Sequence, residues 1–442
     1  MGENRKIVKR IAIGVKIQTS SPLCVSSGWD EITDNDLQRD FYGKVFVPGT
    51  SLAGAMRAYL EKPESLFGFA KEMEGKMSSV SFSDLTFAEN EHLKMSERDG
   101  VALVQKVAKS GAKYDIEIIE PGAYGAFQML LSIREQDEEE QWLDAIKKIF
   151  FGINEGEIRF GSKKNRGFGK IKIESIYYKQ FTSDNVDEWV AYNSEKNLYF
   201  KENKQEKSEW MKSDESHFVK LKVSLNLIGG ISIRKYAISG DADFEHIRSK
   251  KVPVIPGTSW MGAIRQRVTH IATQLIGDES KAMQIIHQWF GYVAESQDGK
   301  NPDARQSSII IRESVIKGGT ELKITRNRIN RFDNSTIDGA LYTELGHFTG
   351  DTKLIILVRK ENDYGDYRTI IGLLLLAIKD LENGYLALGG QTSVGRGIFK
   401  QGSDGIAIAE NGTQTYEQLG NDKCLEYINE LKAYVRGIKN VN

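Results

Sequence analysis

The sequence predicts an α+β fold built twice, as two tandem domains of ferredoxin-like, RNA-recognition type. Three observations predict it. "VPGTSLAGAMR" at 47–57 returns as "IPGTSWMGAIR" at 255–265, an offset of 208. Five further pairs of segments recur in the same order in both halves. Within each half the hydrophobic pattern reads β, loop, α, ββ, α, β, which is the split βαβ arrangement. With 442 residues the chain is also long enough for two or three cores of ordinary size.

The elements follow in order. Ile11, Ile13, Val15 and Ile17 alternate with polar residues, as do Leu221, Val223, Leu225 and Leu227, so each half opens with a half-buried strand. Acidic segments come next, "DNDLQRD" (34–40) and "DADFEHI" (241–247). The PGTS stretches then open helices; in "TSLAGAMRAYLE" apolar residues fall at 52, 55, 56, 59 and 60, on one helical face. "LFGF" (66–69) pairs with "WFGY" (289–292). "SSVSFSDLTF" (78–87) and "SSIIIRESVI" (307–316) read as strands. "GAKYDIE" (111–117) pairs with "GALYTE" (339–344). "EEEQWLDAIKKIFFGI" (138–153) and "YRTIIGLLLLAIKDL" (367–381) read as helices. Last, "NRGFGK" (165–170) pairs with "GRGIFK" (395–400), Gly-rich loops leading into a final strand. The domains predicted are 1–181 and 217–403. Between them lies a polar linker, 182–216, whose Trp189, Tyr192, Tyr199 and Trp210 suit packing on a surface. A tail at 404–442 carries one helical stretch.

Composition narrows the classes of function. Net charge is −1, so charge alone neither announces nor excludes a nucleic-acid ligand, because a local basic groove can sit among acidic surfaces. Cys24 and Cys424 are the two cysteines and no CxxC occurs, which argues against a disulfide framework or a cysteine zinc site. The N-terminus "MGENRKIVKR" lacks the apolar core of a signal peptide, and the longest apolar run, "IIGLLLLAI" (370–378), is far short of a membrane span. These features predict a soluble protein of a reducing compartment.

The repeated residues have chemistry suited to phosphate. In "PGTS", Pro48 stiffens the approach, Gly49 permits unusual backbone angles, and Thr50 or Ser51 can cap the helix, with Arg57 two turns along. Gly257, Thr258, Ser259 and Arg265 repeat this arrangement. A helix start offers free N–H groups and the positive dipole end. In the Gly-rich loops, Lys163, Lys164, Arg166, Gly167, Gly395, Arg396 and Gly397 combine close backbone approach with positive charge, as a sugar–phosphate chain requires. Neither loop fits GxxxxGK[ST] or a strand-to-helix GxGxxG, so no organic nucleotide cofactor is expected.

The order [V/I]PG[T/S]S-xx-G-xx-R, FG, variable insertion, then a Gly-rich loop with RG resembles the RAMP superfamily. The resemblance covers about 1–180 and 217–403. It implies a tandem fusion of two guide-RNA-binding backbone subunits of a type III CRISPR effector, closest to the III-D group, in the prokaryotic cytoplasm. The implied partners are the CRISPR guide RNA, a complementary target RNA and other subunits of the effector, with no membrane. Segments 98–119 and 326–345 look like that family's thumb hairpins, with Lys106, Lys109, Lys113, Arg326, Arg328 and Arg331 along them.

The resemblance also implies a target-cleaving Asp ahead of PGTS, in a pattern D-N-P-V-x-x-D. "DNDLQRD" matches it at Asp34, Asn35 and Asp40, and "DADFEHI" keeps Asp241. Asp34 and Asp241 are the candidate catalytic and Mg²⁺-holding residues, with Asp30, Asp36 and Asp243 as competitors. RNA brings its own 2′-OH nucleophile, so a carboxylate with a divalent ion suffices for in-line attack. Three alternatives stay open: a guide-holding scaffold that does not cut, a precursor-guide-processing endonuclease, and a tandem RNA-recognition protein outside CRISPR defence. The processing enzyme would want histidine in register between the repeats, whereas His246 and His347 are read as isolated and exposed.

Overall fold

The computed structural model describes residues 6–26, 33–61, 63–71, 74–104, 107–211, 216–236, 240, 242–292, 305–361, 365–410 and 415–440; side chains at 71, 101–104, 107–113, 236 and 440 lie outside that set. The chain divides into two compact units: Met1–Leu103, Ala108–Lys164 and Phe168–Asp214 make up the first, and Glu215–Asn442 with Val104–Val107 and Asn165–Gly167 the second.

In the first unit the strand Ile7–Thr19 lies at the centre of an antiparallel sheet. Ile171–Phe181 flanks it on one side and Tyr124–Arg134 on the other, and Val80–Phe82 and Leu85–Phe87 pair beyond the latter. In order of chain appearance this is 4-1-3-2, the ferredoxin-like topology. Ile11, Ile13, Val15 and Ile17 are fully buried under the helices Gly49–Tyr59 and Glu139–Glu155, which add Leu52, Met56, Ile146 and Phe150 to one core. Each such aliphatic side chain contributes roughly 1.5–3 kcal/mol on burial.

The other face of this sheet is also covered. Lys204–Gln205 pairs with Ile171–Phe181, and Leu198, Trp189, Tyr192 and Tyr199 pack on Ala12, Tyr177 and Phe181. Trp189, Tyr192 and Tyr199 thus lie on this face of the sheet, whereas Trp210 joins the helix-side core against Phe150. Gly14 accommodates them: a Cβ there would stand 2.9 Å from Leu198 and Tyr199.

The second unit repeats the topology. Phe218–Ile228 is flanked by Ile398–Ala409 and Asp351–Arg359, with Ile309–Ile311 and Ser314–Lys317 pairing beyond. The final strand runs to Ala409, past residue 403. Tyr367–Glu382, which carries the long apolar run, is buried nearly all round because it lies between the sheet and the terminal helix Asn421–Asn440. Gly372 lets that helix close in: its Cβ would meet the Tyr427 carbonyl at 2.4 Å. No helix among the described residues is long and apolar enough to cross a membrane.

Both expected strands at 78–87 and 307–316 are broken in the middle, at the same place. The expected thumbs differ from one another. Met95–Val104 and Val107–Ile119 pair as a long two-stranded ribbon. In the second unit the regular pairing of Thr320–Arg326 with Tyr342–Phe348 ends at Arg326, and the basic run beyond it lies on a short tip closed by an antiparallel bridge between Ile329 and Thr336.

Candidate nucleic-acid interface

The PGTS helices begin at Gly49 and Gly257, two residues earlier than a Thr cap requires. Pro48 and Pro256 are the N-caps, neither helix has a side-chain cap, and Thr50, Ser51, Thr258 and Ser259 all fall in the first turn. The glycines have a packing reason. A Cβ on Gly49 would lie 2.9 Å from the Phe82 carbonyl, and one on Gly257 would lie 2.5 Å from the Ile311 carbonyl, so each helix end abuts the equivalent strand. In the first unit the free N–H is already taken: Gly49 donates to Asp84 Oδ1 at 2.7 Å. Asp84 sits in the strand break, where it supplies the anion that the helix dipole favours. Glu313 stands at the matching break in the second unit. This acid was not anticipated, although "FSD" and "IRE" follow the same strand in both halves.

The two arginines differ. Arg57 donates from Nη2 to the Gly68 carbonyl at 3.2 Å, tying its helix to the LFGF turn. Arg265 is half-buried, burial pulls its pKa below the usual guanidinium range, and its side chain has no hydrogen-bond or ion-pair partner among the described residues. His287, stacked on Tyr292 with ring centroids 5.3 Å apart, lies near it; burial, then the Arg265 charge, holds its pKa down.

The Gly-rich loops share one backbone course, with left-handed φ at Gly161, Lys163, Gly167 and Gly169 and again at Gly389, Gln391, Gly395 and Gly397. Each pair differs by 228 (391 − 163), so the expected alignment of 165–170 with 395–400 slips by two. Phe168 therefore corresponds to Arg396, and Arg166 to Val394. Letter matching was misled because Lys163 and Gln391 hold left-handed positions usually given to glycine. Gly169 and Gly397 are required where the chain crosses itself: a Cβ would meet the Phe160 carbonyl at 2.0 Å and the Leu388 carbonyl at 1.8 Å. Gly395 faces open space.

Charge is arranged differently on the two loops. Lys163 Nζ sits 3.8 Å from the centre of the Tyr114 ring, Lys164 has its pKa lowered by burial, and Arg166 is exposed. Arg396 lies over Phe348 at 4.5 Å. Gln391 donates to Glu344 Oε2 at 2.8 Å and accepts from Arg326 Nη1 at 2.8 Å. Glu344 is buried and also accepts from Ser232, with Arg234 Nε 3.6 Å away. Arg326 is thereby tied to the Gly-rich loop, whereas Arg328 and Arg331 are exposed at the tip beside the bare Phe332 ring. Lys106 lies outside the described residues; Lys109 and Lys113 are on the strand Val107–Ile119, with side chains outside that set.

The acidic loops latch onto the returning thumb strands. Asp34 N–H donates to Asp115 Oδ1 and Asp115 N–H donates to Asp34 Oδ2, both at 3.0 Å. In the second unit Thr343 N–H donates to Asp243 Oδ2 at 2.7 Å, and Asp243 N–H donates to the Thr343 carbonyl at 2.9 Å. Asp243 is therefore the positional equivalent of Asp34; Asp241 and Asp30 lie outside the described residues. Asp36 is buried and accepts from Thr33 N–H and Oγ at 2.9 Å, while Asp40 Oδ1 accepts from Tyr42 and Lys44 N–H, so both hold loop shape. His246 and His347 are not exposed: both are buried, with ring centroids 6.1 Å apart. Burial, with His347 beside it, drives the pKa of His246 down to about 3.

The profile of the RAMP superfamily matches residues 16–172 and 239–400, one match on each unit's repeated constellation. No curated protein matches the chain. The two matches together span well over half the sequence, and the chain belongs to the RAMP superfamily, whose members are CRISPR-associated RNA-binding proteins.

Proposed function

We propose that this chain is a tandem backbone subunit of a type III CRISPR effector, closest to the III-D group. It binds guide RNA along the sugar–phosphate chain and cuts guide-paired target RNA at two acidic loops. The observation that carries this reading is the repetition of one constellation. In each unit an Asp latched to the thumb base, a PGTS helix and a Gly-rich loop of the same φ sequence occur together. Backbone-directed binding of this kind reads no bases, as a subunit that must accept any guide requires.

The acidic loops offer few ligands for a metal. Asp34 and Asp115 place two carboxylates side by side, Asp243 has Thr343 as its neighbour, and no group of three or more His, Cys, Asp or Glu assembles among the described residues. Such a set suits Mg²⁺, which keeps waters and draws its remaining ligands from substrate phosphate. Bound there with RNA, the ion would supply charge neutralisation at the scissile phosphate. Asp34 and Asp243 would orient the 2′-OH and accept its proton. The thumb strand holds each carboxylate in place.

A second reading has its own support. The carboxylates of Asp34 and Asp243 already accept backbone N–H groups, which suffices for a structural latch in a scaffold that does not cut. The two histidines weighed for the processing-enzyme reading, His246 and His347, are both buried. The deciding experiment is target cleavage by the reconstituted guide-loaded complex with Mg²⁺. Wild type is compared with Asp34→Ala, Asp243→Ala, Asp241→Ala and the double change at 34 and 243. Loss of one product per single change establishes two cutting sites. Identical products from normally assembled complexes leave a scaffold.

A further inference from the structure

Each unit carries a hairpin between its acidic loop and its PGTS helix, and neither hairpin is used by the constellation above. The hairpins correspond: Phe46 N–H bonds to Gln38 O in the first, Val254 N–H to Ile247 O in the second. Arg39 and Arg248 open them at matching positions and pair with Glu117 and Glu321 on the thumb strands.

The tips differ in chemistry. In the first, Phe41 is 96% and Tyr42 81% exposed, with ring centroids 5.5 Å apart. The turn beneath them is rigid. Asp40 N–H donates to Lys44 O, Gly43 N–H donates to Asp40 O, and Asp40 Oδ1 accepts from Tyr42 and Lys44 N–H at 2.9 and 2.8 Å. Gly43, at φ +77°, takes the left-handed position that closes a three-residue loop. In the second, Ser249 pairs with Val252, leaving Lys250 and Lys251 as the two turn residues. Both are exposed, both lie at positive φ (+54° and +106°), and neither has an ion-pair partner among the described residues. Asn or Gly would sit there without strain; two lysines cost backbone energy for a pair of bare charges.

We propose that these hairpins are a further RNA contact in each domain. Phe41 and Tyr42 stack an unpaired base, and Lys250 and Lys251 hold phosphates. Single-stranded RNA presents π-faces and phosphates at once, so one ligand class accounts for both tips. A protein partner covering the first tip would call for an apolar second tip, not a dication. The inference rests on the RNA-binding reading, and the test separates the two.

The full chain, free and in the assembled complex, is titrated against a fluorescein-labelled single-stranded RNA over a salt series. The variants are Phe41→Ser with Tyr42→Ser, Lys250→Asn with Lys251→Gly, and Arg265→Ala as comparator. The aromatic pair should lower affinity at least about fivefold with an unchanged salt slope. The lysine pair should reduce the salt slope by about 1.4, the share of two single-strand phosphate contacts. Wild-type affinity in both hairpin variants with weakened Arg265→Ala binding overturns the hairpin proposal and leaves the RNA-binding reading standing. Unchanged RNA affinity with failed complex assembly makes the hairpins protein contacts and overturns it as well. No RNA binding by wild type in either form overturns both.

Discussion

Asp34 and Asp115 hold each other: each donates its backbone N–H to the other's carboxylate at 3.0 Å. The acidic loop is thereby fixed to the strand Val107–Ile119, so a change at Asp115 should be felt at Asp34. Asp115→Ala is expected to slow formation of one cleavage product about 10- to 100-fold, as loss of positioning does. The pair is exposed, and stability should change by less than about 1 kcal/mol. Asp115→Thr, which copies Thr343, should retain most of the rate. Single-turnover cleavage and thermal unfolding of the three proteins check this.

Gly397 and Gly395 separate two costs of replacing a loop glycine. Both lie at positive φ, but a Cβ on Gly397 would stand 1.8 Å from the Leu388 carbonyl and one on Gly395 would meet nothing. Gly395→Ala should cost about 1 kcal/mol, the left-handed penalty alone. Gly397→Ala should cost about 3 kcal/mol or more, because the crossing chains must part. Denaturant unfolding of the two variants measures the difference.

This contrast bears on what was legible in the sequence. The repeat order, the helix positions and the central strands could be read because apolar spacing survives duplication: Ile11 to Ile17 and Leu221 to Leu227 fill the same core role. The finer alignment could not. Lys163 and Gln391 occupy one backbone conformation with unrelated side chains, and the first hairpin is one residue longer than the second, so the offset of the PGTS motifs does not hold upstream of it, where Asp34 and Asp243 share the latch to the thumb strand. Asp84 went unnoticed because a carboxylate facing a helix end from another strand leaves no periodic trace. The burial of His246 against His347 pairs residues a hundred positions apart, which no local pattern encodes.

Gln391 bridges Arg326 of the thumb to the buried Glu344. Removing the bridge leaves a buried carboxylate short of a donor, which costs about 1–3 kcal/mol. Gln391→Ala should therefore destabilise by that amount. Gln391→Gly loses the same bonds but relieves the φ of +59°, and should recover about 1 kcal/mol of it. Equal losses in the two variants would show that the strain at this position is negligible.

His246 sets a pH dependence. Burial holds its folded pKa at about 3 against an ordinary 6.5, so the unfolded chain binds the proton and the folded chain does not. Stability from this group is complete above the ordinary value and is lost as pH falls below it. Between about pH 8 and pH 5 the loss should reach roughly 2 kcal/mol. His246→Asn keeps an acceptor for the Ile233 N–H, which bonds Nδ1 at 3.2 Å, and removes the titration. Its unfolding free energy should vary with pH by that much less than the wild type's.

Arg57 and Arg265 occupy the same helix position yet should fail differently when truncated. Arg57 is committed to the Gly68 carbonyl, so Arg57→Ala should cost about 1–2 kcal/mol of stability and leave RNA affinity little changed. Arg265 is a half-buried cation with no ion-pair partner among the described residues, and burial already lowers its pKa. Removing it relieves that desolvation, so Arg265→Ala should fold at least as stably as wild type. It should also lose a phosphate contact, reducing the salt slope for single-stranded RNA by about 0.7. Thermal unfolding and salt-dependent binding of the two variants check both halves. If Arg57→Ala weakens RNA binding as much as Arg265→Ala does, the first PGTS helix contacts RNA despite Asp84, and the asymmetry drawn from its occupied N-terminus is wrong.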